Sequence, residues 1–234
     1  MMKRKVFVIV TAGGSGVRMG AALPKQFLSL DGRLILERTV YRFSEALPGA
    51  EIITVLPRDQ VSWWRNYCKG HDVNVPQTIV EGGFTRYHSV KNALSHVPDG
   101  AIVAVHDGVR PFVTVPLIRS MAAIAEDSPA VIPVLPVTDT LKVLERTPEG
   151  LRETDETADR SRIFSVQTPQ FFHSEALKAA YDAVPYEASL TDDSSVARRN
   201  GVPLTFTEGE RYNIKITTPE DMDLGVLILR NFSS

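Results

Sequence analysis

Along this chain, apolar residues come in short unbroken runs separated by longer mixed segments. The runs are residues 6–10 (VFVIV), 51–56 (EIITVL), 78–80 (TIV), 101–106 (AIVAVH) and 130–134 (AVIPV). Most recur at spacings of about 20 to 30 residues, the length of a strand-and-helix unit. β-branched runs with no polar alternation suit strands covered on both faces, as in a mostly parallel sheet. The segments between them predict helices over residues 34–44, 60–68, 85–94 and 115–126, with later helices over 174–183, 192–200 and 219–230. The last has a clear start signal. Pro219 tolerates the first turn, where an N–H has no partner anyway, and Glu220 and Asp221 sit at the positive end of the helix dipole. Strands alternating with helices imply an α/β layered fold with helices on both faces of the sheet.

One segment breaks the pattern. Across residues 138–162 the apolar residues are Leu141, Val143, Leu144, Leu151 and Ala158, and most of the rest are Thr, Asp, Glu, Arg and Lys. In the middle lies Thr147-Pro148-Glu149-Gly150, with proline at the second position and glycine at the fourth, which suits a type I turn. The segment reads as a polar β-hairpin arm. Such an arm cannot bury itself, so it is expected to pack on a second copy of the chain; the alternative is a solvated surface hairpin. Loops this long are usually functional or disordered.

Composition narrows the class. The chain has 234 residues, 43% of them hydrophobic, enough for a core without disulfide or metal staples. Lys plus Arg number 26 against 28 Asp plus Glu, a net charge of −2, which excludes a broadly basic nucleic-acid binder but not local anion sites. Cys68 is the single cysteine, which excludes a disulfide framework and a Cys-rich zinc site and points to a reducing cytoplasm. The basic start, Met1 to Lys5, precedes an apolar run too short for a signal peptide, and no run approaches the ~20 apolar residues of a membrane span.

The first strand runs into Thr11-Ala12-Gly13-Gly14-Ser15-Gly16-Val17-Arg18-Met19-Gly20. Glycines let a backbone turn sharply and approach a ligand, and their N–H groups can cradle phosphate oxygens. A Walker A loop would need Gly-Lys-Ser/Thr at its end. The dinucleotide fingerprint would need glycine where Met19 stands, and a nucleophile elbow would need it at Val17. The loop carries two cations instead, Arg18 and then Lys25 behind Pro24. Glycines with Arg and Lys make a polyanion pocket, most simply for a nucleoside triphosphate; the alternative is a tight turn with solvated cations. Asp107, after an apolar strand, is a carboxylate at a C-terminal strand edge. It suits Mg²⁺, which takes few protein oxygens besides phosphate and water, or it caps the turn into Gly108. His71, His88, His96, His106 and His173 fall into no base or metal arrangement.

Ala12-Gly13-Gly14-x-Gly16-x-Arg18-Met19 with Pro24-Lys25-Gln26 resembles the signature of sugar-phosphate nucleotidyltransferases. Further segments are similar to their cytidylyltransferase branch: Gly82-Gly83-x-x-Arg86-x-x-Ser89-Val90, His106-Asp107-Gly108-Val109-Arg110-Pro111, Pro136-Val137-x-Asp139-Thr140, Gln167-Thr168-Pro169-Gln170, Thr191-Asp192-Asp193 and Asn213-Ile214-Lys215-Ile216-Thr217 with Pro219-Glu220-Asp221. In order and spacing the set resembles the 2-C-methyl-D-erythritol 4-phosphate cytidylyltransferase family over nearly the whole chain. Two positions depart from it: Gly13 stands where alanine is usual and Phe84 where Asp is common.

The resemblance implies one Rossmann-like domain over 1–234, with a β-arm at about 138–162 for homodimerisation, that joins CTP to a sugar-alcohol phosphate. The acceptor phosphate is largely ionised near neutral pH, so no general base is required. Fixed cations must instead stabilise charge in the transition state. By resemblance, Arg18, Lys25, Arg160 and Lys215 are the catalytic cations. Ala12, Gly13, Gly14, Gly16, Gly82, Gly83, Ser89 and Asp107 would hold CTP, with Mg²⁺ on Asp107. Arg110, Asp139, Thr140, Thr168, Thr191 and Asp192 would hold the sugar phosphate, with Arg160, Asp139 and Thr140 reaching a neighbouring subunit's site. A ribitol 5-phosphate cytidylyltransferase and a catalytically silent nucleotide-binding regulator are the competing readings.

Overall fold

The computed structural model describes residues 2–13 and 23–232, so Gly14, Gly16 and Arg18 lie outside the described residues. In chain order the elements are β1 (Val6–Thr11), β2 (Ser29–Leu30), β3 (Arg33–Leu34), α1 (Ile35–Ala46), β4 (Glu51–Leu56), α2 (Arg58–Gly70), β5 (Gln77–Glu81), α3 (Arg86–Leu94), β6 (Ile102–Asp107), α4 (Val115–Ile124) and β7 (Ala130–Pro136). Then come β8 (Leu144–Thr147), β9 (Gly150–Glu153), β10 (Phe164–Val166), β11 (Gln170–His173), α5 (Ser174–Ala183), α6 (Asp193–Arg199), β12 (Thr205–Glu208) and α7 (Pro219–Phe232).

The main sheet has the order β10-β7-β11-β6-β1-β4-β5, with β12 also paired to β7. Strands β5, β4, β1 and β6 run parallel; Ile9 of β1 faces Ile53 on one side and Val105 on the other. Strands β1, β4 and β6 are buried on both faces, which is why their apolar runs show no alternation, while in β5, at the sheet edge, Val80 is the buried residue. Val6, Val8 and Val10 join the layer formed with α1, α2 and α4. Phe7 and Ile9 point the opposite way, into the layer formed with α3, α5 and α6. A third cluster packs Ile228 of α7 and the preceding Ile216 with Leu30, Ile35, Val109 and Phe112. It anchors the 213–217 segment behind the end of β6.

From β1 the chain steps to β4 and then β5, and α3 carries it back to β6 on the other side of β1. That reversal opens a crevice at the carboxyl ends of β1 and β6, the usual ligand position in such sheets. The two ends meet closely. Gly108 donates its N–H to Thr11 O at 2.8 Å, and a Cβ on it would stand 3.1 Å from both the Ala12 side chain and Thr11 O.

The seven helices read from the sequence all occur, with ends shifted by no more than two residues. The polar arm is shorter than expected. Its ladder is β8–β9 alone, closed by Pro148 and Glu149 with Thr147 paired to Gly150. Gly150 sits at φ +130°, open to glycine more than to other residues. Residues 138–143 and 154–159 are irregular, and the chain rejoins the sheet at β10. Leu144 and Leu151 of the hairpin are exposed. Among the described residues no helix is long and apolar enough to cross a membrane.

Candidate active site

Two cavities open on the crevice and share a wall. The first, about 300 Å³, is lined by Ala12, Gly13, Lys25, Gln26, Gly83, Phe84, Thr85 and Ser89 among others. The second, about 440 Å³, is lined by Arg110, Thr168, Gln170, Thr191, Asp192 and Arg198 among others. Arg86, Asp107 and Lys215 line both. The junction is therefore charged, while the rest of the first cavity's lining, Lys25 apart, is uncharged, with Phe84, Gln26 and Val109 among smaller side chains.

Asp107, the last residue of β6, organises the junction. Its Oδ1 lies 3.5 Å from Arg86 Nε. Its Oδ2 lies 3.0 Å from Lys215 Nζ and 3.3 Å from Arg110 Nε. Burial alone would oppose its ionisation, but Arg86, Lys215 and Arg110 outweigh burial and hold the carboxyl far below the usual range. Arg86 opens α3 and makes a forked pair with Asp193, at 3.1 and 2.7 Å. Asp193 is fully buried and also accepts the Tyr181 hydroxyl at 2.7 Å. Burial disfavours the Arg86 charge, yet Asp193 and Asp107 overcome it and raise its pKa. A forked, doubly anchored guanidinium is fixed in orientation, so Arg86 presents a preset edge to both cavities.

Beneath the junction runs a chain of hydrogen bonds. The Asp107 N–H donates to Thr168 Oγ1 at 3.1 Å, and Thr168 Oγ1 lies 3.0 Å from His106 Nδ1. His106 Nε2 is 3.0 Å from Arg110 O. A carbonyl can only accept, so Nε2 carries the proton and Nδ1 receives the Thr168 hydroxyl. Burial pushes His106 down to about 4. The unfolded chain takes up a proton near pH 6.5 and the folded one does not until about 4. Stability is therefore full above about pH 6.5 and falls as pH drops toward 4, by about 3 kcal/mol for this group. Urea unfolding from pH 7 to 4.5 should show that loss in the wild type, and a shallower pH slope in His106→Gln; equal slopes would assign the loss elsewhere.

Lys25, buried within the short 3₁₀ turn Lys25–Phe27, projects from an anchored base. Gln26 is fully buried and its Nε2 donates to Ala12 O at 2.7 Å and Gln60 Oε1 at 2.8 Å. Phe27 stacks on Trp63 and Trp64, at 4.3 and 6.0 Å between ring centres. The turn is thus tied both to the mouth of β1 and to α2. The Trp63-Trp64 pair finds its use here, Trp64 fully buried and Trp63 partly exposed.

Lys215 sits in the loop before α7. Ile216 N–H donates to Val109 O at 2.9 Å. Arg110 Nη1 and Asn213 Nδ2 each reach a carbonyl at 2.8 Å, those of Asn213 and Thr168 respectively. Asp221 caps α7 by accepting the Thr217 and Thr218 N–H groups at 2.7 and 2.8 Å.

Ala12, Gly13, Gly83 and Ser89 line the first cavity, whereas Gly82 lies behind it, donating to Leu56 O at 2.8 Å. Ser89 Oγ accepts Gly83 N–H at 3.1 Å and donates to Thr85 O at 2.9 Å, so its proton is committed to shaping the glycine turn. Thr191 and Asp192 line the second cavity. Asp192 also caps α6 through Ser195 N–H at 2.9 Å and holds Gln170 at 2.7 Å. Arg160, Asp139 and Thr140 line neither cavity; Arg160 Nη1 donates to Thr138 O within the arm. Sequence reading marked Arg86 within a motif and overlooked its place on both cavity walls. It also overlooked Arg198, an exposed cation on the second cavity that no motif marks.

A family model described as IspD, 2-C-methyl-D-erythritol 4-phosphate cytidylyltransferase, matches residues 6–231. The chain is 46% identical over 225 residues to the 2-C-methyl-D-erythritol 4-phosphate cytidylyltransferase of Bacteroides thetaiotaomicron, covering 96% of this chain and 100% of that protein. It is 43% identical over 229 residues to the Porphyromonas gingivalis protein of the same name, covering 97% and 99%. Among solved structures, 4-diphosphocytidyl-2C-methyl-D-erythritol synthase from Anaerococcus prevotii matches with a TM-score of 0.79 at 29% identity, covering 97% and 96%. The 2-C-methyl-D-erythritol 4-phosphate cytidylyltransferase of Thermus thermophilus matches at 0.72 and 30%, covering 98% and 100%.

Proposed function

The chain belongs to the 2-C-methyl-D-erythritol 4-phosphate cytidylyltransferase family, and from that premise we propose how its two joined cavities divide the work. Its reaction is the transfer of a cytidylyl group from CTP to 2-C-methyl-D-erythritol 4-phosphate, giving CDP-methylerythritol and pyrophosphate in non-mevalonate isoprenoid synthesis. The first cavity takes CTP, with its base toward the neutral wall of Ala12, Gly13, Gly83 and Ser89 and its phosphates toward Lys25 and the junction. The second takes the sugar phosphate beside Arg110, Thr168, Thr191, Asp192 and Lys215. The observation that carries this reading is the shared wall: Asp107 and Lys215 stand where the two phosphates must meet.

The acceptor oxygen attacks the α-phosphorus and its bond forms as the bond to pyrophosphate breaks. Lys25, with Arg18, stabilises the charge that builds on the transferring group, and Lys215 holds the acceptor phosphate near it. Asp107 fits Mg²⁺ in its hard, permanently ionised oxygens. Among the described residues no three acidic, His or Cys side chains gather as a cage, so phosphate and water would complete the shell. The ion would offset triphosphate charge.

The arm supports a homodimer in which Arg160, Asp139 and Thr140 complete the neighbour's sugar-phosphate site, since they line neither cavity of their own chain. Arg160→Ala should raise KM for the sugar phosphate about 10- to 100-fold with KM for CTP unchanged. Replacing residues 140–157 by a short turn should halve the mass in light scattering. An effect of Arg160→Ala confined to CTP, or an undiminished mass, would refute the arrangement. The Cys68 thiol, pushed up to about 11 chiefly by burial, is unpaired, in keeping with a reducing cytoplasm.

The test of the whole reading is pyrophosphate release with Mg²⁺ and CTP, with methylerythritol 4-phosphate and ribitol 5-phosphate offered side by side. Release with the first alone is expected. Release with the second alone would overturn the substrate assignment.

A further inference from the structure

We propose that Phe84 is the stacking wall of the base subsite, covering one face of the CTP pyrimidine; the proposal rests on the reading that the first cavity takes CTP base-inward. Phe84 lies on the turn between β5 and α3 and lines that cavity. Its side chain is fully exposed, at 103%. Among the described residues it meets no other ring and no cation.

The backbone holds it there. A Cβ on Gly83 would stand 2.4 Å from the His88 Cβ, so the glycine turn is pressed flat on the first turn of α3. The turn is further pinned by Ser89, which accepts Gly83 N–H and donates to Thr85 O. Thr85 then caps α3 through the His88 N–H. Phe84 is the residue between two pinned neighbours, and it has no place in the core. On the same cavity, none of the described residues comes within 4 Å of where a Cβ on Gly13 would be, which leaves room among them for a planar ring. The rest of the lining holds no second aromatic; Ala12, Gly13, Gly83, Thr85 and Ser89 offer backbone and hydroxyl groups, and the charged side chains Lys25, Arg86, Asp107 and Lys215 also line it. A pyrimidine entering edge-on to those polar groups would lay one face on the Phe84 ring, the offset-stacked geometry that aromatic pairs prefer.

Stacking of a base on an aromatic side chain predicts about a tenfold rise in KM for CTP when the ring is removed. The contact is made equally in the ground and transition states, so kcat should hold. The experiment is steady-state pyrophosphate release by Phe84→Ala, Phe84→Leu, Phe84→Tyr and Phe84→Trp. Alanine and leucine should raise KM for CTP about tenfold and leave KM for the sugar phosphate unchanged; tyrosine and tryptophan should restore it. In Phe84→Trp, CTP alone should quench fluorescence beyond any change in the wild type. A wild-type KM in Phe84→Ala would overturn the proposal, and a wild-type KM in Phe84→Leu would reduce the ring to an apolar cover and overturn stacking. Because the side chain is exposed, none of these variants should lose stability. Failure of the underlying reading shows differently: Gly13→Val, which narrows the first cavity, should raise KM for CTP if the base enters there and would leave it unchanged if that reading failed.

Discussion

Lys25→Ala is expected to lower kcat by about two to three orders of magnitude, the usual cost of removing one preorganised charge from a developing anion. The loss should fall mainly on kcat. On the proposed assignment Lys25 meets the triphosphate in both states, but its contact strengthens as charge gathers on the transferring group, and only that increment changes the chemical step. Folding should survive. The turn that carries Lys25 is held by Gln26 and Phe27, whose bonds to Ala12 and Gln60 and whose packing on Trp63 and Trp64 do not involve the ammonium group. The measurement is single-turnover pyrophosphate release beside CTP binding by calorimetry. Unchanged turnover would remove Lys25 from the transition state; a loss of affinity alone would make it a ground-state anchor.

Asp107→Asn separates two roles with one isosteric change. Asparagine keeps the shape and can still cap the turn into Gly108, so a purely capping Asp107 would tolerate it. As the counter-charge of Arg86, Arg110 and Lys215, it would not. Removing one partner of a buried ion pair costs about 3–5 kcal/mol. Lys215 is 41% and Arg86 29% exposed here, and Arg86 keeps Asp193, so about 2–3 kcal/mol is the expected loss after solvent screening. In a chain of this size that lowers Tm by about 4–12 °C. Turnover should fall at least a hundredfold, while metal-free CTP binds no worse, because the junction becomes more positive. Weaker metal-free binding with normal turnover would contradict the assignment.

Much of this was legible in the sequence for a physical reason. Strands buried on both faces must be apolar throughout, so β1, β4, β6 and β7 announced themselves; the edge strand β5 showed only the short run at 78–80, and the helices between them came from spacing. Strands β10, β11 and β12 did not. They are three or four residues long, and β11 begins with Gln170, a fully buried amide serving α6 rather than the core. Lys25, Asp107 and Lys215, marked in the sequence as isolated charges that are costly unless used, line the first cavity; the glycine loop from Gly14 lies outside the described residues. The coupling of Arg86 to Asp193 spans 107 positions, and nothing local encodes it. Arg198 was invisible for the opposite reason: an exposed arginine on a short helix is the commonest of surfaces until the fold turns it toward a cavity.

The three-cation clasp on Asp107 also bears on which anions the proposed site would refuse. The carboxylate is a built-in surrogate for phosphate, keeping Arg86, Arg110 and Lys215 gathered rather than splayed by mutual repulsion. An incoming anion must compete with that surrogate for the same donors. A small ion such as orthophosphate, with few groups to offer, gains little by the exchange; a nucleotide and a polyol phosphate, each gripped elsewhere along its length, gain much more. On the proposed assignment the clasp would therefore work as a threshold, letting a site rich in positive charge admit its two large substrates ahead of small phosphates.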